Sequence, residues 1–159
     1  MTEASNKPAV ISVKNEQEAV AINCDSVRLL AEYILNAESA SGRGELAITF
    51  VDAGEISSLN DRYRGKDGPT DVLSFSLSED GEDGFVTPVP LMGNVIICPE
   101  VAAATALEDD REPRDEILQL VAHGILHILD YGHRTDSDEI RMLKRQAELV
   151  DGFINAGQL

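Results

Sequence analysis

The sequence changes its apolar period several times, and the order of those changes limits the fold more than any other feature. Val10, Ile11 and Val13 are β-branched and mark a short strand over Ala9–Val13. Val27, Leu30, Ala31, Ile34 and Leu35 follow at i, i+3, i+4, i+7 and i+8. That spacing predicts a helix from Asp25 to near Ala40, ended by the turn chemistry of Ser41-Gly42-Arg43-Gly44. Leu46–Val51 reads as a buried strand, and Asp52 caps a short helix carrying Ile56 and Leu59 that runs out around Tyr63. After the glycine-bearing loop Arg64–Pro69, Asp71–Leu77 alternates Val72, Ser74 and Ser76 against Leu73, Phe75 and Leu77, a strand signature. The next structured pattern, Val95–Cys98 led in by Gly93, is again a strand, with no helical pattern between the two. Pro99 and Pro113 then open helices to Leu107 and to Asp130, and Thr135 or Ser137 caps a last one to about Val150. Two adjacent strands argue against a purely βαβ chain. The expectation is an α+β domain: one small mixed sheet of about four strands packed with about five helices.

The 159 residues fit a single domain, 1–159, and 43% apolar residues suffice for one core. Residues 1–7 are expected to be flexible, and Ser78–Pro90 is expected to form an acidic loop closing a long hairpin. No stretch approaches the ~18 consecutive apolar residues of a membrane helix. Met1–Val13 has no basic segment followed by an apolar one, so no secretory signal is expected. Cys24 and Cys98 lie far apart without a CxxC spacing, which disfavours a disulfide framework and a thiolate zinc site. The default is a soluble, cytoplasmic, reduced domain. A net charge of −16 excludes a general nucleic-acid coat, because phosphate contacts need clustered Lys and Arg. With 4% aromatic residues and no Trp, an extended base-stacking platform is not expected either. Any nucleic-acid contact must be small and local.

All three histidines, His123, His127 and His133, fall within eleven residues. His123 and His127 stand four apart on the helix begun at Pro113, so their rings point in directions only ~40° apart. They flank the apolar stripe of Ile117, Val121, Gly124, Ile125 and Ile128, a suitable edge for a cleft, and Gly124 leaves room for a close approach there. Gly132 lets the chain turn so that His133 faces back. Three imidazoles with one open position form a known catalytic zinc arrangement, in which a bound water drops in pKa from ~15.7 to ~7. A single helical histidine is usually a surface or satisfied core residue; three in one short window, with a glycine before the third, favour a metal site. Nitrogen ligands suit zinc but also nickel, copper and iron. A zinc peptidase of the HExxH type needs a glutamate directly after the first histidine, and this chain has Gly124 there.

The run His123-Gly124-Ile125-Leu126-His127-Ile128-Leu129, followed by Tyr131 and His133, resembles the signature of the YbeY endoribonucleases, bacterial rRNA maturation factors. Leu59–Phe75 (LNDRYRGKDGPTDVLSF) is similar to that family's tyrosine-arginine loop and the strand after it, and Met92–Cys98 (MGNVIIC) to its glycine-led strand. Order and spacing agree over roughly residues 46–150. The resemblance implies an α+β fold with a zinc-hydrolase-like helix bearing HGxxH, and one Zn2+ per chain on His123, His127 and His133. It implies cleavage of single-stranded RNA in ribosomal RNA maturation and ribosome quality control. The expected partners are that RNA and the ribosome or a ribosomal protein, with neither membrane nor DNA. The family's arginine falls on Arg64 as a catalytic residue. A guanidinium fork there can hold the phosphoryl oxygens on which negative charge builds.

The chain departs from the family in three places. The usual Gly-Tyr-Asp before the third histidine is Asp130-Tyr131-Gly132 here, Asn94 replaces an acidic residue, and Ser76 stands where proline is common. None of these is a proposed ligand. Thr70 and Asp71 are expected to organise the turn into their strand, Ser74 and Ser76 to be sheet residues, and Glu116 to lie ~10 Å from His123 by helical rise, too far to be a ligand. Arg62 and Lys66 read as solvated loop charges, and Arg141-Met142-Leu143-Lys144-Arg145 as one solvated face of the last helix. Two other functions compete with the nuclease. One is a non-catalytic ribosome-biogenesis factor with a structural metal, which chelation would melt without RNA ever being cut. The other is a metallopeptidase drawing its base from elsewhere.

Overall fold

The computed structural model describes residues 9–76, 91–131 and 135–157. Within them the periods become β1 (Val10–Glu16), α1 (Cys24–Ala37), β2 (Glu45–Val51), α2 (Ala53–Arg64), β3 (Val72–Ser76), β4 (Leu91–Ile97), α3 (Pro99–Glu108), α4 (Pro113–Ile128) and α5 (Asp136–Asn155). This is the expected α+β class. The segments 1–7 and 78–90, together with Leu77, Gly132 and His133, lie outside the described residues. No helix among those described is long and apolar enough to cross a membrane.

The strands form one mixed sheet in the order β1-β2-β4-β3. β1 and β2 run parallel, as do β2 and β4, whereas β3 runs antiparallel to β4 with Val72 opposite Ile97 and Ser76 opposite Gly93. Antiparallel neighbours need no crossover helix, which explains why no helical pattern separates them in sequence. β3 is therefore an edge strand. Alternation along the strands divides the apolar residues between two sides. Leu46, Ile48, Phe50, Val95 and Ile97 join α1, α4 and α5 in the main core, while Val51, Leu73, Ile96 and Cys98 meet Ile56 of α2 on the opposite side. Burial pushes the Cys98 thiol above its ordinary pKa, so it packs there as a neutral group.

Helix starts follow the caps. The side chains of Asn23, Asp52 and Thr135 accept from the backbone N–H of Ser26, Glu55 and Asp138. α1 stops three residues short of Ala40 because Ser39 turns to φ 56° and Ala40 N–H closes back on Leu35 O. α5 continues past Val150 to Asn155, because Phe153 adds another fully buried turn.

α4 is the central helix, and its burial extends well beyond the apolar stripe of the sequence. Leu118, Ala122 and Leu126 are buried on one side and Ile117, Val121, Ile125 and Ile128 on the other. Two glycines let it sit close to the sheet. A Cβ on Gly124 would lie 2.5 Å from Val95 Cγ1 and 3.1 Å from Ser74 Oγ, and one on Gly93 would lie 2.7 Å from Ile128 Cδ1. The room at Gly124 is thus taken by β4 and β3. The Ser74 hydroxyl adds a 3.3 Å hydrogen bond to Gly124 O.

α4 ends in a Schellman motif: Asp130 N–H donates to His127 O and Tyr131 N–H to Leu126 O. Asp130 occupies the left-handed position at φ 70°, where the family's usual residue is glycine. An L side chain is strained there and glycine is not. Asp130→Gly is expected to stabilise the protein by about 1 kcal/mol, raising Tm by about 2–4 °C in calorimetry. Next along the chain, the Tyr131 hydroxyl donates to Glu38 Oε1 at 2.6 Å, and Arg145 reaches both Glu38 oxygens at 3.3–3.4 Å. Burial and the Glu38 carboxylate hold the Tyr131 hydroxyl above its usual pKa. Arg145 is therefore not on a solvated face, and Met142 is 1% exposed in the core. Five consecutive helical residues point all round the axis at ~100° each, which is why the run 141–145 cannot share one face.

Candidate active site

In a helix buried on so many sides, what stays open matters. Gln119, His123 and His127 are partly exposed at i, i+4 and i+8 on α4, a single strip beside the edge strand. His123 Nε2 and His127 Nε2 lie 3.1 Å apart, with the rings crossing at 71°. The other nitrogen of His123 is fixed: Nδ1 lies 3.0 Å from Gln146 Oε1, and Gln146 Nε2 donates to Gln119 Oε1 at 2.8 Å. Nδ1 is thus taken up by Gln146, and Nε2 is the nitrogen that faces His127.

Two nitrogens bound to one tetrahedral zinc at about 2.0–2.1 Å stand about 3.3 Å apart. The observed 3.1 Å separation fits that donor pair. Among the described residues no third His, Cys, Asp or Glu joins them. His133, the third ligand expected from the sequence, lies outside those residues. Glu116 is engaged elsewhere: it is buried and pairs with Arg111 at 3.1 Å.

The imidazoles open into a cleft of about 600 Å³, lined by Tyr63, Arg64 and residues 70–76 together with His123 and His127. Arg64 thus shares a wall with two histidines some sixty positions away in sequence. It is the last residue of α2, which ends on Gly65 in the left-handed conformation at φ 65°. Behind the loop sits Asn60, only 4% exposed, whose Nδ2 donates to Gly68 O at 3.0 Å and whose backbone carbonyl accepts from Lys66. On the far side of the loop, Cys98 N–H donates to Asp71 O and ties it to the end of β4. Arg62 and Lys66 do not line the cleft, in keeping with solvated charges. Ser74 lines it but spends its hydroxyl on Gly124 O.

The sequence model of the family Endoribonuclease YbeY matches residues 12–153. The chain belongs to the YbeY family. It is 37% identical over 141 residues to the endoribonuclease YbeY of Clavibacter sepedonicus, covering 87% of this chain and 92% of the relative. It is 42% identical over 118 residues to that of Macrococcus caseolyticus, covering 73% and 76%. A solution structure of a Thermotoga maritima protein superposes with TM-score 0.60 at 27% identity, over 93% of both chains. The YbeY match contains Arg64 and all three histidines. In this YbeY chain the residues that sequence reasoning missed are Gln119, Gln146 and Asn60. Gln119 stands four before His123, a one-turn spacing that was available as a signal. Gln146 comes from another helix, and nothing near it in sequence points to a histidine.

Proposed function

We propose that this chain is a zinc-dependent endoribonuclease that cuts single-stranded RNA in ribosomal RNA maturation and ribosome quality control. The observation that carries this reading is the meeting of Arg64 with the facing nitrogens of His123 and His127 in one cleft. His123, His127 and His133 would hold the zinc, which when bound supplies Lewis acidity and acidifies a water. The chain's own residues do the rest. Arg64, exposed at the cleft mouth, grips two non-bridging phosphate oxygens and holds the backbone against the imidazoles. That grip strengthens as charge develops on the phosphoryl group, so it favours the transition state over bound substrate. The wall of β3 and α4 orients the strand and excludes water from one side. The net charge of −16 opposes approach of free RNA, so a basic ribosomal protein is the expected docking partner, in the cytoplasm, with no role for DNA.

The deciding experiment is cleavage of single-stranded RNA by purified protein, with and without chelator, alongside metal analysis and thermal melting. One zinc per chain and cleavage lost on chelation, then restored by zinc, are expected. A chelator that melts the fold of a protein that never cuts RNA would instead establish a binding factor with a structural metal.

Gln146 enters this reading as a positioning residue. It takes up Nδ1 of His123, and partners of that kind are worth about 10–100-fold in metal affinity. Gln146→Ala is expected to weaken zinc binding by about that factor in a chelator competition, whereas Gln146→Glu retains it because a carboxylate accepts the same proton.

A further inference from the structure

Among the described aromatic residues, Tyr63 alone is exposed, at 59%. Phe50 and Phe153 are fully buried, Tyr33 leans on Phe153, and Tyr131 is tied to Glu38. Tyr63 is held in place nonetheless. Phe75 of β3 meets it at 5.3 Å between centroids with the rings at 68°, and the Arg62 guanidinium sits 5.9 Å from its centroid. With Tyr63 59% exposed, ring surface stays open beside both contacts. Tyr63 also lines the same cleft as Arg64, His123 and His127. Consecutive residues thus present an aromatic ring and a guanidinium, which match the base and the phosphate of a nucleotide.

We propose that Tyr63 is a stacking subsite for one nucleobase of single-stranded RNA, beside the phosphate gripped by Arg64. This rests on the nuclease reading of the cleft. Phe75 backs the ring before substrate arrives, so less side-chain entropy is lost on stacking. Every base has a π face, so the subsite selects unpaired nucleotides over duplex rather than one sequence over another. One ring accommodates one base, in keeping with an aromatic-poor chain.

The test is fluorescence anisotropy with two labelled oligomers of equal charge, hexa-adenylate and an abasic ribose-phosphate hexamer, each checked by gel for intactness after titration. Wild type is expected to bind hexa-adenylate about 10-fold more tightly than the abasic oligomer, a typical effect for one stacked base. Tyr63→Ala should erase that difference without changing affinity for the abasic oligomer, and Tyr63→Phe should keep it. Tyr63→Trp introduces the chain's only tryptophan, whose emission should be quenched by hexa-adenylate and not by the abasic hexamer. A base preference that survives Tyr63→Ala overturns the subsite while leaving the nuclease reading intact. Failure of both oligomers to bind overturns the RNA reading itself.

Discussion

His127→Ala is expected to leave a folded protein that holds no zinc and cuts RNA slower by on the order of 10³-fold or more. The magnitude follows from losing Lewis-acid stabilisation worth several kcal/mol at the transition state. The fold should survive because His127 lies on the open strip of α4, and the apolar residues around it keep their contacts. His123→Ala should match it in rate, and it also takes from the Gln146 side chain its partner at 3.0 Å. Metal analysis, circular dichroism and a single-turnover cleavage assay on each variant separate these effects. Full cleavage by metal-free His127→Ala protein would remove the proposed chemistry.

Arg64→Ala gives the second large effect, of a different kind. Removing one group that stabilises developing phosphoryl charge costs about 10²–10³-fold in kcat. Arg64 is exposed at the end of α2, so melting temperature and zinc content should stay at wild-type values. Arg64→Lys should recover only part of the rate, because an ammonium cannot offer the paired donors of a guanidinium. Comparing the three proteins by kcat, KM and bound metal checks this. Unchanged kcat in Arg64→Ala would place the arginine outside the reaction, and lost zinc would make its role structural.

Much of this is legible in the amino-acid sequence. Val27, Leu30, Ala31, Ile34 and Leu35 are all buried as their spacing required, because one uninterrupted stripe fixes which face a helix turns inward. The Asp52 cap, the proline starts at Pro99 and Pro113, and the pairing of β3 with β4 also follow from local chemistry. The surroundings of α4 were harder. Its period marked one apolar stripe, but Leu118, Ala122 and Leu126 are buried as well, because α4 packs against the sheet and against α1, α3 and α5 at once. Histidines at i and i+4 announce themselves through their chemistry. Gln146 and Asn60 do not, because a neutral amide gains its role only from what tertiary structure places opposite it. Asp130 shows the reverse: the turn forms as glycine would make it, so the exchange with Gly132 did not destroy the geometry at residue 130.

The cleft joins parts anchored with unequal strength. Its imidazoles ride on α4, gripped by the main core, whereas Tyr63 and Arg64 hang from α2, whose buried side chains are Ile56 and Asn60. Elements with so small an apolar hold open at free energies below that of the whole molecule. Fraying of α2 therefore withdraws the guanidinium while the sheet and the histidine helix persist. Mild heat or denaturant should silence the chemistry before the protein comes apart, and cooling should restore it without the core ever having to refold.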